Sequence, residues 1–360
     1  MTAPVLAALQ PRRILCIYVA RFGDTLLMSV VLKALAQQYP GVQIDFLGHA
    51  KRIQVLEHLP FIRRLGAISK KSARLKGWCA QVMGRKPYDV AFVWGHDAEL
   101  VNYAKRVSQH VVISSQCNQK RQNAVDAVID YPADTLKIRE QDDKPLTQWL
   151  LDIPEKSLGF KATDHTSTYI VTAAERSLAT ELLQNATATK QLPKFIGLVV
   201  ESHPSAPHRD WPLEKFVELT TRLHQRYPEA WFVVISGGLA AAKIKQIKDA
   251  AGSQLVDFGG RLSMRESVAV MAQLDLYIGV DTGPTLFAAA LGIPSVMMFH
   301  CMRAAHLVIN PIKPEKVTAI DHPLAREYCS LDTPMGDVSV EAVFEAACHR
   351  MPMEQIRPAA

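Results

Sequence analysis

Short, unbroken apolar runs alternate with longer segments of helical period along most of the chain. Runs at 13–20 (RILCIYVA), 42–48, 88–94 and 110–115 read as strands, and 25–40 has apolar positions on one helical side with Pro40 just past its end. From residue 193 the alternation is regular. Strands are expected at 193–200, 230–238, 254–260, 274–280 and 294–299, with helices at 213–228, 240–252, 263–273 and 285–292. Strands that are apolar on both faces belong to parallel sheets covered by helices on both sides. The pattern weakens between 120 and 165, which is polar. The expected fold is therefore α/β, with two βαβ domains and a boundary between about 160 and 190. The halves share an architecture without a close sequence repeat. A last amphipathic stretch, 339–351, is expected to be a helix that returns to the first domain.

In open α/β sheets, ligands meet the carboxyl ends of strands, so the residues directly after each strand are the candidates. After the first comes ARFGDTLL, where Gly23 allows a tight turn and Asp24 falls at or near a helix N-cap. Asp24 is either a cap or a carboxylate usable as a general base. The loop lacks the three glycines of a dinucleotide fingerprint and the Gly-Lys-Ser/Thr ending of a P-loop. After 193–200 come Ser202, then Arg209 ahead of Trp211-Pro212. Trp211 suits packing on the sheet, Pro212 suits a helix start, and Arg209 is placed to meet a phosphate. After 230–235 comes Ser-Gly-Gly with Gly237, where small residues admit a ligand to the backbone or simply enter a helix.

The stretch YIGVDTGPTLFAAALG, 277–292, is the most informative. Its strand feeds a helix with almost no loop, which leaves unpaired amides and a positive dipole end at the junction. Thr282 adds a hydroxyl, Gly283 removes an obstructing side chain, and Pro284 fixes the turn without sacrificing a needed donor. Such a junction suits a phosphate or diphosphate. The alternative is that Asp281 and Thr282 only cap the helix.

Composition narrows the partners. The chain has 360 residues, 48% hydrophobic and 21% charged, as in globular proteins of two ordinary domains. No apolar run has the roughly 20 residues of a membrane span. The opening MTAPVLAALQPRRIL lacks the basic start and long apolar stretch of a secretory signal, so a cytoplasmic location is expected. No two of the six cysteines lie within four residues of each other, so no zinc or redox motif is expected, and in a chain this long neither is a disulfide framework. The net charge of +6 is unevenly spread, with ten basic residues and one acid between Lys51 and Lys86. That segment is either a solvated face or a surface for an anionic partner. With only Phe61 and Trp78 interleaved, a single-stranded nucleic acid is not expected.

Several of these segments, taken together, resemble one family. RRILCIYVARFGDTLLMSVVLKALAQQYPGVQIDFLG, PYDVAFVW, HRDWPLEKFVEL, VVISGG and FGGRLSMRESVAVMAQLDLYIGVDTGPTLFAAALGIPSVMMF follow, in order, the bacterial lipopolysaccharide heptosyltransferases, the ADP-heptose-dependent glycosyltransferases of family 9. The resemblance implies a GT-B fold, two Rossmann-like parallel-sheet domains facing a central cleft. An acceptor-binding domain would span 1–170, a nucleotide-sugar-binding domain 190–338, and a C-terminal helix and tail 339–360. It implies an inverting transfer without metal or cofactor, with Asp24 taking the acceptor proton. Donor binding would fall to Ser202, Arg209, Gly237, Leu262 (against adenine), Asp281 (near the sugar), Thr282 and Gly283. The acceptor would be the lipopolysaccharide inner core, an acidic glycolipid met by Arg21, Lys51, Arg52, Arg63 and Arg64. That acceptor implies contact with the inner face of the inner membrane. Two positions depart from the family: Leu286 stands where a histidine is common, and no acid follows Gly237-Gly238 until Asp249. These departures leave open a different nucleotide sugar or glycan, or a relative that binds without transferring.

Overall fold

The computed structural model describes residues 4–84, 86–117, 125–131, 144–235, 241–252, 254–325 and 329–351. The chain divides into two compact units, Met1–Ile170 and Val171–Ala360.

The first unit holds a six-stranded sheet in the order β3 (Arg64–Ala67), β2 (Gln43–Gly48), β1 (Arg13–Tyr18), β4 (Tyr88–Trp94), β5 (Ser108–Ser114) and β6 (Ala127–Ile129). Every pairing is parallel, with Cys16 of β1 opposite Phe46 on one side and Phe92 on the other. Helix α1 (Phe22–Gln38) follows β1 and is buried over most of its length. It starts earlier than the periodicity predicts, which places Asp24 inside its first turn. The basic segment is itself folded: it supplies β3 and α2 (Lys70–Met83), which packs on α3 (Ala98–Val107). The polar stretch after 120 also holds more structure than expected. Helix Leu146–Leu158 lies there with Trp149, Leu150, Leu151 and Ile153 buried, and Gly159 ends it in the left-handed conformation.

The second unit repeats the topology: β12 (Val317–Asp321), β11 (Ser295–Phe299), β10 (Leu276–Val280), β7 (Phe195–Val199), β8 (Trp231–Val234) and β9 (Leu255–Asp257), again all parallel. Counted from the first strand of each unit, both sheets have the doubly wound order 3-2-1-4-5-6. Strands β7, β10 and β11 are buried at every residue, as two-sided coverage requires. Helix Ala173–Thr187 begins with a Thr172–Glu175 capping box. Glu175 then reaches Arg265 of helix Met264–Met271, Arg265 Nη2 donating at 2.9 Å.

Two expectations change. The C-terminal helix Val340–Arg350 was expected on the first domain. Its buried Val340, Val343 and Ala347 instead belong to the core of the second unit, beside Trp211, Phe216 and Leu219. Trp211 Nε1 donates to Val338 O at 2.9 Å, and Arg350 Nη2 donates to Val317 O at 3.0 Å. An amphipathic helix buries its apolar stripe on a matching surface, and here that surface is the sheet and helices of its own unit. The cysteine expectation also fails: Cys301 and Cys329 form a disulfide, their Cα atoms 6.1 Å apart across 28 residues of sequence. The fold, not sequence proximity, brings this pair together.

Candidate functional site

Each sheet has one place where strand order reverses, between its first and fourth strands, and ligands of doubly wound sheets sit at the carboxyl side of that gap. In the second unit, the gap lies between β7 and β10. The chain leaving β7 carries Ser202 and Arg209, and the chain leaving β10 carries Asp281, Thr282 and Gly283.

The β10 junction is held from inside. The Tyr277 and Thr285 hydroxyls lie 2.8 Å apart, and Thr285 Oγ1 also donates to Val280 O. Both side chains are fully buried, so the first turn of helix Gly283–Leu291 is tied to the strand that feeds it. Thr282 occupies the N-cap with extended backbone and makes no side-chain cap hydrogen bond. Capping therefore does not account for its hydroxyl. A Cβ added at Gly283 would meet nothing within 4 Å. The space in front of this first turn is open, which is the room a ligand would need. Gly292 closes the helix in the left-handed conformation at φ 64°.

Charge converges on Asp281. Its carboxylate is only 3% exposed, and Oδ2 lies 3.0 Å from Arg209 Nη1 and 3.5 Å from Arg303 Nη1. Arg209, itself 7% exposed, also reaches Asp281 O at 3.4 Å. The pair plus one carboxylate leaves a net positive charge beside a helix N-terminus. The Asp281 oxygen expected near a sugar thus lies within ion-pair range of two guanidiniums. Ser202 has a similar supporting position. Its amide donates to Asp210 Oδ1 at 2.6 Å and its hydroxyl to Ala206 O at 2.6 Å, closing the loop that carries Arg209.

Two histidines adjoin the cluster. The rings of His208 and His300 meet edge-on with centroids 4.9 Å apart. Burial, then the charges of Arg209 and His300, push the His208 imidazole down to about 4. Burial lowers His300 as well. Both are neutral near pH 7. Leu262 lines a shallow cavity with Val233, Val234, Ile235, Phe258, Gly260, Ser267 and Val270, at the carboxyl ends of β8 and β9. Its apolar lining suits the face of a planar ring. Gly237 lies outside the described residues.

In the first unit, the reversal lies between β1 and β4. Asp24 is the third residue of α1, after Arg21 at the N-cap, so its carboxylate is in the first helical turn rather than at the cap. Beside it are two phenols, Tyr131 buried and Tyr18 half-buried. Burial, then their mutual coupling and the charge of Asp24, hold Tyr18 well above its ordinary range, and burial with Asp24 does the same for Tyr131. The five basic residues expected to act together are split. Arg52 Nη1 donates to Ala20 O at 2.7 Å, which puts it with Arg21 and Lys51 around the carboxyl ends of β1 and β2. Arg63 and Arg64 are at the opposite end, where β3 begins, and Arg63 is committed to Asp45, Nε donating to Oδ1 at 2.8 Å. Tyr88 Oη donates to the same carboxylate at 2.7 Å. The segment between Arg52 and Arg63, with the short helix Ile53–Leu56, runs back from the carboxyl end of β2 to the start of the parallel strand β3, so residues close in sequence lie at opposite ends of the sheet.

Sequence reasoning missed Arg303, His208, His300, Tyr18 and Tyr131. Arg303 and His300 follow β11, and the rule of reading what comes after each strand would have found them had it been applied there.

The sequence pattern of glycosyltransferase family 9 (heptosyltransferase) matches residues 121–327. No curated protein matches the chain. Among solved structures, a family 9 glycosyltransferase from Veillonella parvula DSM 2008 is similar with a TM-score of 0.75 at 14% identity, covering 94% of this chain and 96% of that one. E. coli ADP-heptose lps heptosyltransferase II gives a TM-score of 0.70 at 17% identity, over 93% of this chain and 97% of that one. E. coli heptosyltransferase WaaC with ADP-2-deoxy-2-fluoro heptose gives 0.61 at 14% identity, over 92% and 98%. Likeness at such identities concerns the fold, that of family 9 structures. The family pattern spans more than half of the residues, and on that ground the chain belongs to glycosyltransferase family 9, the heptosyltransferases.

Proposed function

We propose that the protein is an inverting glycosyltransferase that moves a heptose from ADP-heptose to the inner core of lipopolysaccharide. The observation that carries the reading is the convergence of Arg209 and Arg303 on Asp281 beside the open first turn of helix Gly283–Leu291. Membership of the family and a fold shared with a heptosyltransferase holding an ADP-heptose analogue support it.

In this reading the donor diphosphate takes the Gly283 amide, the Thr282 hydroxyl and the two guanidiniums, and adenine lies on the apolar lining at Leu262. Bond breaking at the anomeric carbon leaves both electrons on the diphosphate. The arginines and the helix dipole stabilise that charge as it develops, so no metal is invoked. Asp24 accepts the proton of the attacking acceptor hydroxyl, and opposite-face attack inverts the anomeric centre. Asp281 keeps the two arginines aimed. Arg21, Lys51 and Arg52 meet the acidic acceptor. Working beside this machinery, the protein would act on the cytoplasmic side of the inner membrane.

The test is incubation with ADP-heptose and a heptose-deficient core acceptor, read by mass. One added heptose is expected, unchanged by a chelator, and Asp24→Ala should abolish it while leaving ADP affinity intact. Donor binding without transfer by either protein would overturn the reading. Leu286, where the family commonly has a histidine, favours one second reading: a different nucleotide sugar. A thermal-shift preference for UDP or GDP over ADP would select it.

A further inference from the structure

Helix α2, KKSARLKGWCAQVM, is oriented the opposite way from an ordinary surface helix. Ala73 and Gly77 face inward and are buried, and a Cβ at Gly77 would meet Arg106 Nη1 of α3 at 2.8 Å. Among the described residues of the helix, the large apolar side chains face outward, Leu75 at 66% and Trp78 at 62% exposure. Three residues apart, they are neighbours on one helical face. Lys70, Lys71, Arg74 and Lys76 surround them, and the helix has no acid. Lys70 and Arg74 touch Asp97 at 3.4 Å and Glu99 at 3.2 Å, and Lys76 Nζ donates to Ala67 O at 2.9 Å. Pairs this exposed hold their cations weakly, and Lys70 and Arg74 remain 73% exposed.

We propose that α2 is a membrane-docking helix that lies in the headgroup region of an anionic bilayer, Leu75 and Trp78 inserted and the four cations on lipid phosphates. Two exposed apolar anchors within a cationic ring are the pattern of an interfacial helix, and tryptophan prefers the headgroup level. A protein partner would be served by the apolar pair alone; four cations on a helix without acids, against the two neighbouring carboxylates of Asp97 and Glu99, leave a net positive face that complements an anionic surface. The inference rests on the proposed lipid-linked acceptor for its purpose, but vesicle binding is measured without donor or acceptor. A failure of one reading is therefore seen separately from a failure of the other.

The experiment is sedimentation of the whole protein with phosphatidylglycerol-containing vesicles and with pure phosphatidylcholine vesicles. Binding is expected only to the anionic vesicles. The double variant Leu75→Ser/Trp78→Ser should bind at least about tenfold more weakly. Lys71→Gln and Lys76→Gln should each cost about fivefold. All three should retain the melting temperature, because the side chains are exposed. In the otherwise unaltered protein, an environment-sensitive dye on Cys79, which is exposed, should shift to the blue with anionic vesicles. Equal binding to both vesicle types, undiminished binding by the double variant, or an unshifted dye would overturn the proposal. So would a dimer that the double variant converts to a monomer without any vesicle binding, since α2 would then seat a second copy.

Discussion

Gly283→Ala separates the fold from the ligand site more cleanly than any other change. The backbone at Gly283 is not in the left-handed region, and an added Cβ meets no atom within 4 Å. Alanine in place of glycine at a compatible position stabilises by about 0.4–1 kcal/mol through the unfolded chain. Opposing this, Pro284 follows, and a residue with a Cβ before proline disfavours the helical region. The two effects are of similar size, so stability should change by less than about 1 kcal/mol, or under about 4 °C in melting temperature for a unit this large. The diphosphate has no such tolerance. A methyl group in the open space before the first turn lifts it off the Gly283 amide, a charge-assisted hydrogen bond worth about 1.5–3 kcal/mol. That is about 10- to 150-fold in Kd. Scanning fluorimetry without ligand and calorimetric titration with ADP read the two quantities. An unchanged Kd would refute the placement of the diphosphate; a fall of 10 °C in melting temperature would refute the reading of the empty space.

Other consequences follow from single contacts. Thr285→Val removes the hydroxyl shared by Tyr277 and Val280 O; stranding the buried phenol should cost about 1–3 kcal/mol in denaturant unfolding and weaken ADP as the first turn loosens. Arg265→Ala leaves Glu175 without its guanidinium partner; about 1–3 kcal/mol should be lost from chemical unfolding, less than for a fully buried pair because both groups are partly solvated. Acid should act in two windows. The unfolded chain protonates His208 near 6.5 and the folded one only at about 4, so its stability contribution is full above 6.5 and is lost between 6.5 and 4. The hydrogen bonds from Arg265 hold Glu175 down to about 2 against 4.5, so its contribution is lost between 4.5 and 2. His208→Gln should flatten only the upper window in a series of melting temperatures against pH. Denatured without reductant, the protein should titrate four of its six thiols, and Cys329→Ser should lower stability by about 2–4 kcal/mol, the entropy of opening a loop of that length.

The sheet strands of the second unit could be read directly from the sequence, because runs such as LYIGV are short, apolar on both faces and bounded by turn residues. The strand-to-helix junction at Asp281–Pro284 could be read for a related reason: an acid, a hydroxyl, a glycine and a proline between strand and helix have few uses apart from caps and anion sites. What failed was anything that depends on distance in space. The Arg303 guanidinium reaches Asp281 from a different strand end, Cys301 finds Cys329 across an intervening strand, and Arg63 leaves Arg52 for Asp45. Helix Leu146–Leu158 escaped notice because its polar flanks diluted the pattern around it. Helix α2 was seen only as a cluster of charge, since the outward placement of Leu75 and Trp78 requires the packing of Ala73 and Gly77 to be known.

The most direct test of the central claim is a crystal structure of the protein with ADP. The account predicts the diphosphate at the first turn of helix Gly283–Leu291, within hydrogen-bonding distance of the Gly283 amide and flanked by Arg209 and Arg303, with adenine against Leu262. ADP bound elsewhere, with that first turn facing only solvent, would contradict it.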